Sequence, residues 1–208
     1  PVTGITGFAG LLLDGPALPE TSHRQLETIF REAERMTDLV DDFLEVRRLK
    51  TDRSRVDYER IRVESLYRKS LEGCRDRGDG HELRFSGDAR AELFGNRKEL
   101  TQAFSHLLSN ACRYSPQGGL VEFSVELLPD AVQICVSDQG IGIPAHEQEN
   151  IFKPFHRLDS GNTRSTRGVG MGLVLVKEIV ALHGGQIRVE SSTPGEGSRF
   201  CLELPFPP

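Results

Sequence analysis

Between residues 20 and 50, apolar side chains recur every three or four positions: Leu26, Ile29, Phe30, Ala33, Met36, Val40, Phe43 and Leu44, with Glu, Arg and Asp between them. That spacing predicts a long amphipathic helix, with Thr21 or Ser22 as its cap. A shorter helix is expected from Pro1 to about Leu13, and Gly15, Pro16 and Pro19 force a turn between the two. The result is an antiparallel helical hairpin. Half a hairpin cannot bury such a stripe alone, so a four-helix bundle made by two chains is its natural completion. Packing of the hairpin onto its own chain is the alternative.

The pattern changes after a polar connector, Thr51 to Arg55. Val63 to Leu71 reads as a helix, and Leu83 to Phe85 and Ala91 to Phe94 as short strands. Glu99 to Cys112 is a helix with Leu100, Ala103, Phe104, Leu107, Leu108 and Ala111 on one face. Val121 to Leu127 and Ala131 to Ser137 alternate apolar and polar residues, and Pro129-Asp130 between them predicts a hairpin. Leu173 to His183 is a helix ended by Gly184-Gly185, followed by strands at Gln186 to Ser191 and Arg199 to Leu204. This mixture predicts an α+β fold: a two-layer sandwich in which a mixed, largely antiparallel sheet carries helices on one face.

Charge adds a constraint. The formal net charge is -5, without the basic face that nucleic-acid partners favour, so no nucleic acid is expected. No apolar run approaches the length needed to span a bilayer, so no membrane contact is expected of these residues. Cys74, Cys112, Cys135 and Cys201 form no C-x-x-C pair and are expected to be reduced, most of them buried, in a cytoplasmic setting. The chain opens on Pro1 rather than Met and reads as part of a longer protein, whose anchoring to a membrane stays open.

Three stretches carry candidate chemistry. Asp138-Gln139-Gly140-Ile141-Gly142-Ile143 ends an apolar strand in a carboxylate and two glycines. Such glycines allow close backbone approach to a ligand, and a carboxylate there can accept from an amino group such as adenine N6. A plain turn after a strand would look similar. Gly168-Val169-Gly170-Met171-Gly172-Leu173 opens a helix, where backbone N–H groups can face phosphates. It lacks the Gly-Lys-Ser/Thr of a Walker loop and the spacing of a dinucleotide fingerprint. The polar run Ser160 to Arg167 before it reads as a lid over residues 159–168. Asn110 offers an amide oxygen suited to Mg²⁺, and Arg113 beside it could meet phosphate.

In order, these stretches resemble the boxes of the sensor histidine kinase ATPase domain, within the wider group that includes gyrase, Hsp90 and MutL. His106-Leu-Leu-Ser-Asn110-Ala-Cys-Arg113-Tyr114-Ser115-Pro116 resembles the N box, and Asp138 to Ile143 the first glycine box. Ile151-Phe152-Lys153-Pro154-Phe155-His156-Arg157 looks like the F box, Gly168 to Leu173 like the second glycine box, and Gly195-Glu-Gly197-Ser198-Arg199-Phe200 like the closing G-x-G-T-x-F stretch. Leu11 to Gly15 and Phe30 to Arg35, followed by Leu39-Val40-Asp41-Asp42, are similar to the family's dimerisation helices. The resemblance implies two domains: a truncated dimerisation and histidine-phosphotransfer hairpin at 1–52, and a catalytic ATP-binding domain at 53–208.

Residue by residue, the resemblance implies that Asn110 binds the Mg²⁺ that bridges the ATP phosphates and that Asp138 holds the adenine amino group. Tyr114 would pack on the base or its rim, while Arg113, Lys153 and Arg157 contact phosphate. Gly168, Gly170 and Gly172 would shape the lid hinge and phosphate cradle, with Met171 and Leu173 beside them. Gly140, Gly142 and Ile143 would complete the site, and Ser198 stands near the adenine where the family usually has Thr. The implied reaction is γ-phosphoryl transfer from ATP to a histidine and then to an aspartate of a response-regulator receiver domain, in a homodimer formed through the bundle.

Two departures qualify this. His106 replaces the second Asn that usually precedes the metal-binding one by four residues. The wider group has a general-base Glu there, so His106 is the one catalytic candidate, with spectator or weak tuning the favoured reading. Pro1-Val2-Thr3-Gly4-Ile5-Thr6-Gly7-Phe8 matches the end of the phosphoacceptor motif H-E-x-R-T-P-L-T-x-I-x-G-Y/F, so the acceptor histidine is expected five residues upstream of Pro1. The alternative is a degenerate kinase that acts as a nucleotide-binding or scaffolding module. An ATPase clamp of the gyrase or MutL type is disfavoured by the helical hairpin and by His106 in place of Glu.

Overall fold

The computed structural model describes residues 2–15, 18–51, 57–71, 80–158 and 170–206. The chain divides into two compact units between Arg47 and Arg48. The connector after Thr51, Cys74 and the expected lid at 159–168, including Gly168, lie outside the described residues.

The first unit is the helical hairpin. Helix α1 spans Val2–Leu13, and α2 spans Glu20–Thr51, crossing the division between the units. The helices meet through small residues: Ala9 and Ala33 are buried, and a Cβ on Gly10 would touch the Phe30 ring at 3.4 Å. Thr21 and Ser22 do not cap α2. The helix starts earlier, and the Pro19 carbonyl already accepts from the His23 N–H at 3.0 Å. Pro19 thus stands at the cap position, and Thr21 and Ser22 already lie inside the first turn. Ile5, Phe8, Leu11, Leu12, Ile29, Met36, Val40, Phe43 and Leu44 are exposed within this chain.

The second unit is built on a five-stranded sheet of order β2-β4-β5-β7-β6, made of β2 (His81–Gly87), β4 (Gly119–Leu127), β5 (Ala131–Asp138), β6 (Gln186–Thr193) and β7 (Gly197–Pro205). Only β2 and β4 run parallel; the other pairs are antiparallel. The short strands β1 (Glu59–Arg62) and β3 (Glu92–Gly95) pair separately. Charges at Glu59, Arg60 and Arg62 hide β1 in the sequence, because only Ile61 is buried.

Alternation along the strands decides which face is packed. Phe123, Val132, Ile134, Val136, Leu202 and Leu204 point to one side and are buried. Three helices cover that side: α3 (Val63–Ser70), α4 (Arg97–Arg113) and α5 (Gly172–Leu182). Phe123 meets the rings of Tyr67 on α3 and Phe104 on α4 at 5.0 and 5.2 Å. Between β4 and β5 the expected hairpin closes with Leu128 N–H to Ala131 O at 2.8 Å.

Helices α4 and α5 are joined at their ends. The Asn96 side chain caps α4 by accepting from Glu99 N–H at 3.0 Å. The Asn96 N–H donates to His183 Nε2 at 3.0 Å, and His183 Nδ1 donates to the Ile179 carbonyl at 2.7 Å. Burial holds the His183 imidazole below the ordinary histidine range, so it stays neutral and can accept. Tyr58 stacks on it at 5.0 Å.

One expectation fails here. Cys135 and Cys201 are not reduced; they are joined by a disulfide. They sit directly opposite each other on antiparallel β5 and β7, a proximity that 66 residues of sequence separation conceals. Cys112 is buried and takes no part in that disulfide. No helix among the described residues is long and apolar enough to cross a membrane.

Candidate functional site

The site forms where β5 and β7 end. Asp138 is the last residue of β5 and lies opposite Ser198 on β7. Its Oδ1 accepts from the Gly140 N–H at 2.9 Å and the Ser198 N–H at 3.3 Å. Burial pushes the Asp138 carboxyl above the usual carboxylate range, and the two N–H donors offset only part of that rise. Oδ2 accepts nothing among the described residues, which leaves one oxygen of a desolvated carboxylate ready for an outside donor.

The glycines around it are required by contact. A Cβ on Gly140 would lie 2.2 Å from the Tyr114 carbonyl, and one on Gly197 would lie 1.9 Å from the Asp138 carbonyl. The loop after β5 is tied down on both sides: Ile141 N–H donates to Tyr114 O at 2.9 Å, and Gly195 N–H to Ile141 O at 2.8 Å. Buried Ile143 donates its N–H to Ser192 Oγ at 2.7 Å. Ser192 Oγ also donates to Gly197 O at 3.0 Å and lies 2.9 Å from Ser198 Oγ. Ser192 therefore links the first glycine stretch to the last one. Sequence reading missed it, because one Ser in a strand ending Ser-Ser-Thr carries no distinguishing signal.

Helix α4 brings the second group of residues. Its buried stripe turns Leu100, Phe104, Leu107, Leu108 and Ala111 inward, and leaves His106, Asn110 and Arg113 partly exposed along its edge. Tyr114 ends the helix, donating its N–H to Asn110 O at 2.9 Å while its carbonyl receives Ile141. The Asn110 amide makes no side-chain hydrogen bond among the described residues. Its oxygen is a hard donor of the kind Mg²⁺ takes alongside water, so the residue fits that cation. The His106 ring lies against the start of α5: a Cβ on Gly172 would sit 2.9 Å from His106 Nδ1.

The remaining candidates flank residues 159–169. Phe155 holds φ 61, a left-handed conformation uncommon for a bulky residue, and its N–H donates to Gly170 O at 3.2 Å. Gly170 has φ 78, and a Cβ there would meet His156 O at 2.5 Å. The described segments on either side of residues 159–169 are thus hydrogen-bonded to each other. Lys153 is exposed and donates to Asn150 Oδ1 at 2.7 Å, while Arg157 is exposed near the end of the described segment. Neither is brought to Asp138 by any described contact. Met171 is buried, and Leu173 lies half-buried on the first turn of α5.

Comparison with known proteins places both units. Residues 95–208 match the family described as histidine kinase-, DNA gyrase B-, and HSP90-like ATPase, and residues 1–52 match the His Kinase A (phospho-acceptor) domain. The sensor-like histidine kinase SenX3 of Mycolicibacterium smegmatis is 33% identical over 207 residues, covering 99% of this chain and 54% of that protein. SenX3 of Mycobacterium tuberculosis is 35% identical, with 99% of this chain and 50% of that protein covered. The chain therefore spans about half the length of these relatives. Among solved structures, mycobacterial sensor histidine kinase MprB aligns over 73% of this chain and 99% of its own, at 29% identity and TM-score 0.63. Full-length ShkA in complex with AMPPNP shares the fold over 99% of this chain and 43% of its own, at 24% identity and TM-score 0.78.

Proposed function

Since the chain belongs to the two-component sensor histidine kinases within the histidine kinase-, DNA gyrase B- and HSP90-like ATPase family, we propose that it binds Mg-ATP and transfers the γ-phosphoryl group to a histidine, from which it passes to a receiver-domain aspartate. We divide the work at residue 52. The hairpin at 1–52 dimerises and presents the acceptor, which by its motif lies upstream of Pro1, and residues 53–208 hold the nucleotide. The setting is the cytoplasm.

The observation that carries this reading is Asp138. A desolvated carboxylate with one oxygen fixed by two backbone donors and the other left over matches an exocyclic adenine amino group. Gly140, Gly142 and Gly197 let the backbone around Asp138 pack closely, since a Cβ at each would strike the carbonyl of Tyr114, Thr193 or Asp138, and Ser198 sets its hydroxyl beside Ser192 at the same edge. Tyr114 borders the base. Asn110 would hold Mg²⁺, which supplies charge neutralisation between phosphates. Arg113, Lys153 and Arg157 approach the phosphates, and Gly168, Gly170 and Gly172 with Met171 and Leu173 shape the cradle. Phosphoryl transfer asks mainly for positioning and charge, so no covalent intermediate with this chain is needed.

His106 is read as a packing residue against Gly172 rather than as a base. Its presence in place of an amide is the one observation favouring a degenerate, scaffolding role. Calorimetry with ATP and GTP tests the nucleotide assignment, since GTP lacks the amino donor at that position. Micromolar ATP binding with GTP at least about tenfold weaker is expected, one charge-assisted hydrogen bond amounting to roughly 1.5–3 kcal/mol. Equal affinities would remove the assignment, and absence of binding would favour the scaffold.

A further inference from the structure

The face of the sheet away from the helices carries a second arrangement. Its side chains are polar almost throughout: Ser124, Gln133, Ser137, Arg188, Arg199 and Glu203. In the middle of them lie the joined Cys135 and Cys201, 2% and 0% exposed. Strand pairing explains the position. Ser124, Cys135, Cys201 and Arg188 are consecutive partners across β4, β5, β7 and β6, so the sulfurs occupy the central rung.

Glu190 is the third member. Strand β6 is irregular at this residue: Val189 pairs with Phe200 and Ser191 with Arg199, which leaves Glu190 bulged between them. A bulge re-aims a side chain. Here it brings Glu190 Oε2 within 3.3 Å of Cys201 Sγ. With the sulfurs joined there is no proton for that contact to share; with Cys201 reduced, the thiol would donate to the carboxylate. The three ligand-type groups lie within 4.8 Å of one another. Over them lie ion pairs: Glu190 with Arg199 at 2.7 Å, Arg188 with Glu190 at 3.3 Å, and Arg188 with Glu203. Partly exposed ion pairs of this kind contribute little stability each, so this cover opens easily.

We propose that Cys135 and Cys201 are a reversible oxidation site for hydroperoxides that tunes nucleotide affinity, with Glu190 positioned to take the Cys201 proton. The Cys201 thiolate attacks the peroxide O–O bond and becomes a sulfenic acid, with water as the product once the leaving oxygen is protonated. The Cys135 thiolate then displaces that hydroxyl, which leaves as a second water. The sum is two thiols and one hydrogen peroxide to one disulfide and two waters. A low-molecular-weight thiol reverses it by exchange, two such thiols becoming one disulfide.

The consequence for nucleotide rests on the ATP reading above. The cross-link joins β5 to β7 three residues before Asp138 and three residues after Ser198. The Asp138–Ser198 hydrogen bond spans the same two strands, so the disulfide limits their separation at the base-binding end. The oxidised chain should therefore bind ATP more tightly than the reduced one.

The test uses the 208-residue chain, reduced with dithiothreitol, desalted, and exposed to graded hydrogen peroxide. Peptide mapping after alkylation should recover one cross-linked pair containing Cys135 and Cys201, reversed by dithiothreitol. Independent oxidation of the two cysteines, or no cross-link, overturns the site. Calorimetry with Mg-ATP should give an affinity at least threefold higher for the oxidised form. Equal affinity in a cross-linked sample overturns the coupling. Failure to bind ATP in both states overturns the nucleotide reading instead, and the mapping still decides the oxidation site. Glu190→Gln avoids a core substitution; it should slow cross-linking severalfold and leave the reduced form's ATP affinity unchanged. An unaltered rate removes Glu190 from the proposal.

Discussion

The helical hairpin and the α+β unit use apolar residues in opposite ways. In the sheet unit, Phe104, Phe123, Leu108, Ile134 and Leu175 are fully buried by the chain's own elements. In the hairpin, alanines are buried while Phe8, Leu11, Met36 and Leu44 are more than half exposed. A unit that covers its own core can fold and bind a ligand alone. A unit that leaves its largest apolar side chains outside is half of something, and its completion by a second chain is the economical reading. The two units should therefore fail independently.

The largest separation is expected from Asn110→Ala. Phosphoryl transfer to a histidine-bearing longer chain should fall by more than about a hundredfold, since hard-cation placement supplies much of the charge neutralisation. Sedimentation should show an unchanged oligomer and circular dichroism an unchanged fold. An Ala variant that unfolds, or that transfers at the normal rate, makes Asn110 a structural residue.

The converse break is Val40→Asp with Phe43→Asp. Both side chains are nearly half exposed in the single chain, and burying the remainder contributes roughly 0.8–1.5 kcal/mol each, on both chains of a dimer. Dimer affinity should fall by roughly a hundredfold, at 1.4 kcal/mol per tenfold, while calorimetry shows intact ATP binding. A dimer that survives the double substitution places the interface elsewhere.

Asp138→Asn should weaken ATP by about tenfold and leave the dimer untouched. Burial raises the Asp138 carboxyl, so in the wild type protonation sets in above the ordinary carboxylate range and ATP binding weakens there as pH falls. The variant should bind without that titration. If acid weakens both proteins alike, another group is responsible.

The smallest effect concerns His183. Its folded-state pKa is lowered by burial, so its contribution to stability is present above the unfolded value of about 6.5 and is lost as pH falls below it. One proton limits the slope to about 1.4 kcal/mol per pH unit. Urea melts of the sheet unit should show that decline, and His183→Gln, which keeps an acceptor but does not titrate, should flatten it. Identical slopes would exclude His183 as the source.

Much of this was legible in the sequence, for reasons that differ by residue. The stripes on α2 and α4 repeat over many turns, so periodicity finds them. Asp138 and its glycines form one short contiguous stretch, so their chemistry can be read locally. Tertiary features escaped. Ser192 acts through partners at Ile143, Gly197 and Ser198, and nothing near it in sequence marks it. β1 has one inward residue, too few to alternate. The expectation of reduced cysteines for Cys135 and Cys201 followed from spacing along the chain, whereas the bond follows from strand register.

Strand β6 contains one residue more than its partner can match. Glu190 has no opposite number: Val189 faces Phe200, Ser191 faces Arg199, and Ser192 faces Ser198. Excising Glu190 would leave every one of those pairings in place, because the ladder closes across the gap without shifting. Most single-residue deletions inside a strand turn every later side chain to the wrong face. This one should be silent for the Ser192–Ser198 hydroxyl pair and remove only a carboxylate from the outer surface. The position is thus a natural site for length variation, where an insertion or deletion edits the outer face of the sheet and spares the nucleotide side.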